Sequence, residues 1–212
     1  MLSHRARVLI ADDHTLIAEL CTKLLKSEFD VVGIVGDGRA LVREVGKLTP
    51  DLVLVDVAMP ILNGLDAGRQ VKKDWPAIKV VYLTVNQDPQ VAAEAFRRGA
   101  SGYLLKTCAS SELVTAVRDV LRGGTYMSRG LPKDEINFLR RQDQDKEEQL
   151  TERQREVLQL LAEGKAMKEV GATLHMTTRT VAFHKYRIME MLGAKSSAEL
   201  VRYAVRRHIV AA

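Results

Sequence analysis

Five side chains suited to polar chemistry close, or directly follow, short apolar runs. Asp12 and Asp13 follow VLIA (8–11), Asp56 ends LVLVD (52–56), Thr84 ends VVYLT (80–84) and Lys106 ends GYLLK (102–106). Three carboxylates gathered in one crevice repel one another unless positive charge compensates. Two sources suit them: a hard divalent ion such as Mg²⁺, which prefers carboxylate oxygens and water, and the Lys106 ammonium. A carboxylate held beside both can attack a phosphoryl group and become an aspartyl phosphate. Fixed positive charge would then spread the charge of the loose transition state. Singly, each residue has a plainer role. A strand-closing Asp commonly serves as a turn or N-cap residue, Thr84 reads as an ordinary strand-end threonine, and Lys106 as a solvated one. The set argues for chemistry, because independent turn residues need not all fall at strand ends one, three, four and five.

Those ends exist only if the runs are strands. With VVGIV (31–35) there are five runs, each almost continuously apolar, as strands buried on both faces of a parallel sheet are. Helical patterns lie between them. Residues 15–26 place Leu16, Leu20 and Leu24 on one stripe, 39–48 place Leu41, Val45 and Leu48, and 111–122 place Leu113, Val117, Val120 and Leu121. Such alternation predicts an α/β fold, a doubly wound parallel sheet of five strands with right-handed crossovers. Ligands of these sheets bind beyond the carboxyl ends of the strands, where the five residues would sit. No G-x-G-x-x-G follows the first strand, so a dinucleotide site is not indicated there.

The segments ADD, VLVDVAMPILNG, LT and GYLLK resemble the flavodoxin-like receiver domain of two-component response regulators, over about residues 6–122. The resemblance implies that Asp56 accepts the phosphoryl group. It implies that Asp12, Asp13, Asp56 and the backbone carbonyl of Ala58 hold Mg²⁺. Thr84 would hydrogen-bond the phosphoryl oxygens, Lys106 would pair with them, and Tyr103 would turn inward as Thr84 moves. Three departures stand out. Val85 follows Thr84 where receivers usually carry a smaller residue, which narrows access. Thr107 replaces a frequent proline, and Ala58 and Asn86 occupy places that tune loss of the phosphoryl group.

The rest of the chain has a different character. Residues 150–212 hold eleven Lys+Arg against six Asp+Glu, which accounts for the whole formal excess of +5. That balance suits a nucleic-acid footprint, and equally a solvated basic surface. Residues 123–147 read as a linker: RRQDQDKEEQ (140–149) has no apolar residue, with Ile136, Phe138 and Leu139 as a short packed segment before it. Four helices follow. Thr151 and Gln154 form a capping box for the first, which Gly164 stops. The second spans 167–174, with Gly171 in its interior at about 1 kcal/mol against Ala. Thr177 caps the third, which runs to about Leu192, and Ser196 with Glu199 caps the fourth. The short HMTT turn between the second and third makes a helix-turn-helix.

On the third helix Val181, Ile188, Met191 and Leu192 share one side. Arg179, Phe183, Tyr186 and Glu190 lie opposite, with Ala182 and Arg187 at the margins. Outward aromatics on a basic helix suit contact with thymine methyls, sugars and phosphates, or packing on another domain or subunit. His184 falls toward the core, as a satisfied core histidine. The run from LTERQREVLQLLAEG to MLGAKSSAEL resembles the LuxR-type helix-turn-helix, residues 148–210. That resemblance implies docking of the third helix in the major groove, through Thr178, Arg179, Ala182, Phe183, Lys185, Tyr186 and Arg187, and dimerisation through the fourth. Ala182 stands where a lysine is frequent, and Lys165-Ala166-Met167 replaces the usual small polar entry to the second helix.

Together these imply a DNA-binding response regulator of the NarL/FixJ type. A histidine kinase would phosphorylate Asp56, and Mg²⁺, double-stranded DNA and a second copy of the chain would be its partners. Composition (46% hydrophobic, 28% charged, 5 Pro) excludes collagen-like, low-complexity and wholly disordered chains. No run reaches a membrane span or signal peptide, and two lone cysteines indicate neither disulfides nor zinc, so a cytoplasmic location is expected. A haloacid-dehalogenase-like phosphatase would need a second acid two residues after Asp56, where Ala58 stands. A receiver serving only as a dimerisation scaffold fits poorly with a complete acid, Thr and Lys set.

Overall fold

A computed structural model describes residues 5–108, 110–142 and 150–210. The end of the charged run at 143–149 lies outside the described residues, as do positions 1–4 of the N-terminus. The chain forms two compact units, the first covering residues 1–60 and 64–145, the second residues 146–212 together with 61–63.

The first unit holds strands β1 (Arg7–Ala11), β2 (Asp30–Val35), β3 (Leu52–Val55), β4 (Lys79–Thr84), β5 (Gly102–Leu105) and β6 (Tyr126–Met127). They form one parallel sheet in the order β2-β1-β3-β4-β5-β6. Helices α1 (Thr15–Leu25), α2 (Gly38–Leu48), α3 (Gly64–Asp74), α4 (Pro89–Arg97) and α5 (Ser110–Leu121) make the crossovers, and α6 (Lys133–Gln142) follows β6. Side chains alternate across the sheet. Val8, Ile10, Leu52, Leu54, Val81, Leu83 and Leu104 meet α1 and α5 in one continuous core.

The fold class is as expected, but the sheet has six strands where five were expected. β6 pairs in parallel with β5, Tyr126 opposite Gly102 and Met127 opposite Tyr103. Residues 126–142, inside the span read as a linker, therefore form β6 and α6. Ile136 is fully buried, whereas Phe138 of the same anticipated packed segment is exposed. α6 packs on α4: the Arg97 guanidinium donates to the Leu139 carbonyl (3.2 Å), and the Arg140 guanidinium lies 5.2 Å from the Phe96 ring centroid. On α1 the buried face is Ala18, Cys21 and Leu25, while Leu16 is 81% exposed and Leu20 49%. The leucine stripe predicted to face the core thus flanks it.

The second unit holds α7 (Glu152–Ala162), α8 (Met167–Leu174), α9 (Thr178–Leu192) and α10 (Ser197–Arg206) around Val157, Leu158, Leu160, Val170, Leu174, Val181, Ile188, Leu200 and Ala204. The caps explain the boundaries. Thr151 and Gln154 form the reciprocal box at α7, Thr177 Oγ1 accepts from Thr180 N–H (3.1 Å), and Ser196 Oγ accepts from Glu199 N–H (3.3 Å). At α10 the return bond from Glu199 goes to Lys195 N–H (2.8 Å) rather than to the cap residue itself. Gly171 has a positive reason to be glycine. A Cβ there would lie 2.6 Å from the Met176 carbonyl oxygen, which the tight turn folds back against the helix.

Candidate functional site

β1 and β3 are neighbours whose crossovers diverge, so their carboxyl ends open a crevice at the topological switch point. β1 delivers Asp12 and Asp13, and β3 delivers Asp56 one residue past its end. The approach of α3 shapes the loop after Asp56: a Cβ on Gly64 would sit 1.9 Å from the Asp56 carbonyl oxygen, so only glycine fits. Asp12 and Asp56 are buried, at 5% and 4% exposure.

Lys106, one residue beyond β5, bridges these two acids. Its Nζ lies 2.8 Å from Asp12 Oδ2 and 2.8 Å from Asp56 Oδ2. Burial raises the Asp56 pKa, against the Lys106 hydrogen bond and charge, and the Asp12 charge adds to the rise. For Lys106 burial acts to lower the pKa, but hydrogen bonds and charge from Asp12 and Asp56 prevail and raise it. The lysine therefore stays charged while Asp56 remains more basic than an ordinary carboxylate. Ala58 N–H donates to Asp56 Oδ1 at 3.4 Å, folding the loop over the carboxylate.

Asp13 is exposed at the rim. His14, which the sequence reading did not select, sits beside it with Nδ1 2.9 Å from Asp13 Oδ1 and 3.4 Å from Asp12 Oδ1. Asp12, Asp13, His14 and Asp56 each offer a ligand atom, all within 4.8 Å of one another. The adjacency DDH was the available signal. A donor set of three carboxylates fits a hard divalent ion.

Thr84 is buried at the end of β4, and its Oγ1 accepts from Asn86 N–H (3.1 Å). Tyr103 is already inward, fully buried, its hydroxyl donating to the Asn86 carbonyl (3.1 Å). Thr84 and Tyr103 thus converge on one residue, Asn86. Val85 is exposed.

In the second unit α9 presents Thr178, Arg179, Phe183, Tyr186 and Arg187 to solvent, with Phe183 and Tyr186 each 65% exposed. Ala182 and Lys185 are half-buried, and Lys185 lines a depression with Lys165, Leu200 and Val201 instead of standing fully outward. Met191, predicted in the core, is exposed. His184 is half-buried, its ring steeply inclined to that of Phe183 at 5.7 Å between centroids, but its Nδ1 is enclosed without a hydrogen-bond partner among the described residues, unlike the satisfied histidine expected.

A parallel β2-β1-β3-β4-β5 core with an acid crevice bridged by lysine, and a helix-turn-helix after it, define a receiver joined to a DNA-binding module. Residues 8–118 match the family described as response regulator receiver domain, and residues 148–204 match bacterial regulatory proteins, luxR family. The chain is 32% identical to the oxygen regulatory protein NreC of Staphylococcus aureus (strain JH9), over 96% of this chain and 99% of that one. Among solved structures, RcsB of Salmonella typhimurium is 25% identical over 94% of this chain and 96% of its own, with a TM-score of 0.61. An RcsB–DNA complex is 25% identical over 94% and 97%, with a TM-score of 0.57. The chain belongs to the NarL/FixJ-type response regulators, DNA-binding transcriptional regulators with a receiver and a LuxR-type output domain. No helix among the described residues is long and apolar enough to cross a membrane.

Proposed function

We propose that residues 6–122, extended by β6 and α6, work as a phosphorylation switch whose acceptor is Asp56, and that residues 148–210 bind double-stranded DNA under its control. The observation that carries this reading is the Lys106 ammonium placed 2.8 Å from both Asp12 and Asp56 in a buried crevice. A phosphohistidine on a sensor kinase is the donor. The Asp56 carboxylate oxygen attacks phosphorus, and the P–N bond breaks as the imidazole leaves. Lys106 then has a phosphoryl oxygen to pair with in place of a carboxylate. The site's own residues promote both gain and hydrolytic loss of the phosphoryl group, with no other substrate turned over.

Asp12, Asp13, Asp56 and the Ala58 carbonyl would hold Mg²⁺, which supplies positive charge to the transferring group. Thr84, whose Oγ1 accepts from Asn86 N–H, would donate its hydroxyl hydrogen to a phosphoryl oxygen, and Tyr103, bonded to the Asn86 carbonyl, would register the change. Two arrangements of these groups, biased by phosphate, make a switch. On α9, Thr178, Arg179, Phe183, Tyr186 and Arg187 form the DNA face, with Ala182 and Lys185 at its margin. The related RcsB–DNA complex supports DNA as the partner. A homodimer on DNA and a cytoplasmic location complete the reading.

Intact mass after incubation with a small-molecule phosphodonor and Mg²⁺ tests it. A single phosphoryl adduct is expected on the wild type and none on Asp56→Asn. An adduct on both variants would refute Asp56 as acceptor.

A further inference from the structure

Strands β4 and β5 pair so that Tyr82 lies directly opposite Tyr103, and both side chains are fully buried. Their ring centroids are 6.4 Å apart and their planes tilted by 50°, within the range of a stabilising aromatic pair. Val81, Leu83 and Leu104 belong to the core with α1 and α5, so the two tyrosines occupy the opposite face of the sheet. There Tyr82 reaches beneath α3: a Cβ on Gly68 would stand 2.1 Å from its hydroxyl oxygen, so the glycine makes the room. Near that hydroxyl is a buried ion cluster. Arg98, at the end of α4, holds Asp66 of α3 at 2.7 Å and Glu94 at 2.6 Å, and Arg98 and Asp66 are only 7% and 8% exposed. Burial raises the pKa of the Tyr82 hydroxyl, and the charges of Arg98, Asp66 and Glu94 all reach it.

Tyr103 is inward, with its hydroxyl on the Asn86 carbonyl (3.1 Å). An outward turn would give up the contact with Tyr82 as well as that hydrogen bond. Tyr82 cannot follow it outward, because its far end is enclosed against Gly68. We propose that Tyr82 is a positioning residue of the switch, which packs on Tyr103 and biases the resting receiver toward the inward arrangement before a phosphoryl group is gained. The inference rests on the reading of Thr84, Asn86 and Tyr103 as a switch biased by phosphate. α4 shares the same support, because Arg98 seats it on α3 and Arg97 donates to the Leu139 carbonyl of α6. An aromatic pair of this kind shifts a two-state equilibrium roughly two- to tenfold.

Fluorine NMR of the full-length protein, with 3-fluorotyrosine at its five tyrosines, tests this; Tyr103→Phe assigns the Tyr103 resonance. The change of that resonance between light and heavy water, with its exchange broadening, gives the inward-to-outward ratio. Wild type and Tyr82→Phe, which keeps the ring pair, should hold Tyr103 away from solvent. In Tyr82→Leu the ratio should fall roughly two- to tenfold, and saturating beryllofluoride with Mg²⁺, as a phosphoryl mimic, should restore it. Urea curves establish that the variants compared are folded. Should Tyr82→Leu not fold, Gly68→Ala displaces the ring from the α3 side and is expected to move the same resonance. A ratio within twofold of wild type in the folded variant overturns the proposal, as does a solvated Tyr103 in wild type. A Tyr82→Phe signal as solvated as that of Tyr82→Leu also overturns it, since the ring contact is then not the cause. Beryllofluoride that moves no resonance in any variant, while Tyr82→Leu still frees Tyr103, refutes the phosphate reading and leaves the role of Tyr82 standing.

Discussion

Replacing Lys106 by Met keeps most of the aliphatic stem and deletes the ammonium. In the wild type that group lies 2.8 Å from Asp12 Oδ2 and from Asp56 Oδ2, and the three side chains are 9%, 3% and 4% exposed. Removing one partner of a buried ion pair costs about 3–5 kcal/mol, because the other charge stays desolvated and unpaired. Here two carboxylates lose their shared partner, yet the crevice opens to water at Asp13, so about 3 kcal/mol is expected at neutral pH without divalent ions. Two conditions should reverse the loss. Without the ammonium the folded-state pKa of Asp56, already raised by burial, rises further, so the deficit shrinks as pH falls and that carboxyl protonates. A divalent cation replaces the missing charge: Mg²⁺ at about a hundred times its dissociation constant adds about 2.7 kcal/mol. Urea denaturation of wild type and Lys106→Met, with and without Mg²⁺ and across acid to neutral pH, measures all three effects. A deficit below about 1 kcal/mol that ignores both pH and Mg²⁺ would refute the account of Lys106 as the counter-charge of the crevice.

Three further outcomes follow from the same geometry. Asp56→Asn should be more stable than wild type at neutral pH in chelator. Burial raises the Asp56 pKa above its unfolded value, so wild type regains ground as pH falls through that raised titration, and paired urea curves at several pH values show whether the gap closes. Gly171→Ala should destabilise by about 1–3 kcal/mol, against the gain of about 1 kcal/mol that helix propensity alone predicts, because the new Cβ meets the Met176 carbonyl oxygen at 2.6 Å; thermal melts decide the sign. Arg179→Ala should weaken DNA binding across all sequences and lower the salt-dependence slope by about 1, as loss of one phosphate contact does; unchanged affinity would move the DNA face off α9.

Much of this architecture could be read from residue order, for identifiable reasons. Parallel strands buried on both faces leave unbroken apolar runs, and a doubly wound sheet brings their ends together, so Asp12, Asp56, Thr84 and Lys106 were found without knowledge of the loops. The caps of α7, α9 and α10 announced themselves through Thr151, Thr177 and Ser196, because side-chain capping is a local interaction. Other features leave no such trace. About half of the buried residues of α3 and α4 are Gly and Ala (Gly64, Ala67, Gly68; Ala92, Ala93, Ala95), which carry little hydropathic contrast. A two-residue strand such as β6 has no period to detect, and α6 has one fully buried large side chain, Ile136. On α1 the leucines were misread because Ala18 and Cys21, smaller and less apolar, occupy the face nearest the sheet. Gly171 looked like a defect because the carbonyl it accommodates belongs to the following turn, and His14 was passed over because capping positions attract little chemical suspicion.

The short β6 strand has a consequence for anyone who cuts this protein apart. A fragment ending near Arg122, where the helical pattern of the sequence stops, would strip β5 of its outer neighbour and leave the Ser101 and Tyr103 carbonyls without the Tyr126 and Ser128 N–H groups that donate to them. It would also uncover the flank of α4 that α6 shields, with Phe96 no longer beneath Arg140. An open strand edge beside bare apolar surface invites pairing with another molecule, so such a fragment would aggregate or swap segments where one carried through Gln142 stays monodisperse. A boundary for the first unit that keeps β6 and α6 lies some twenty residues later than the fifth helix suggests.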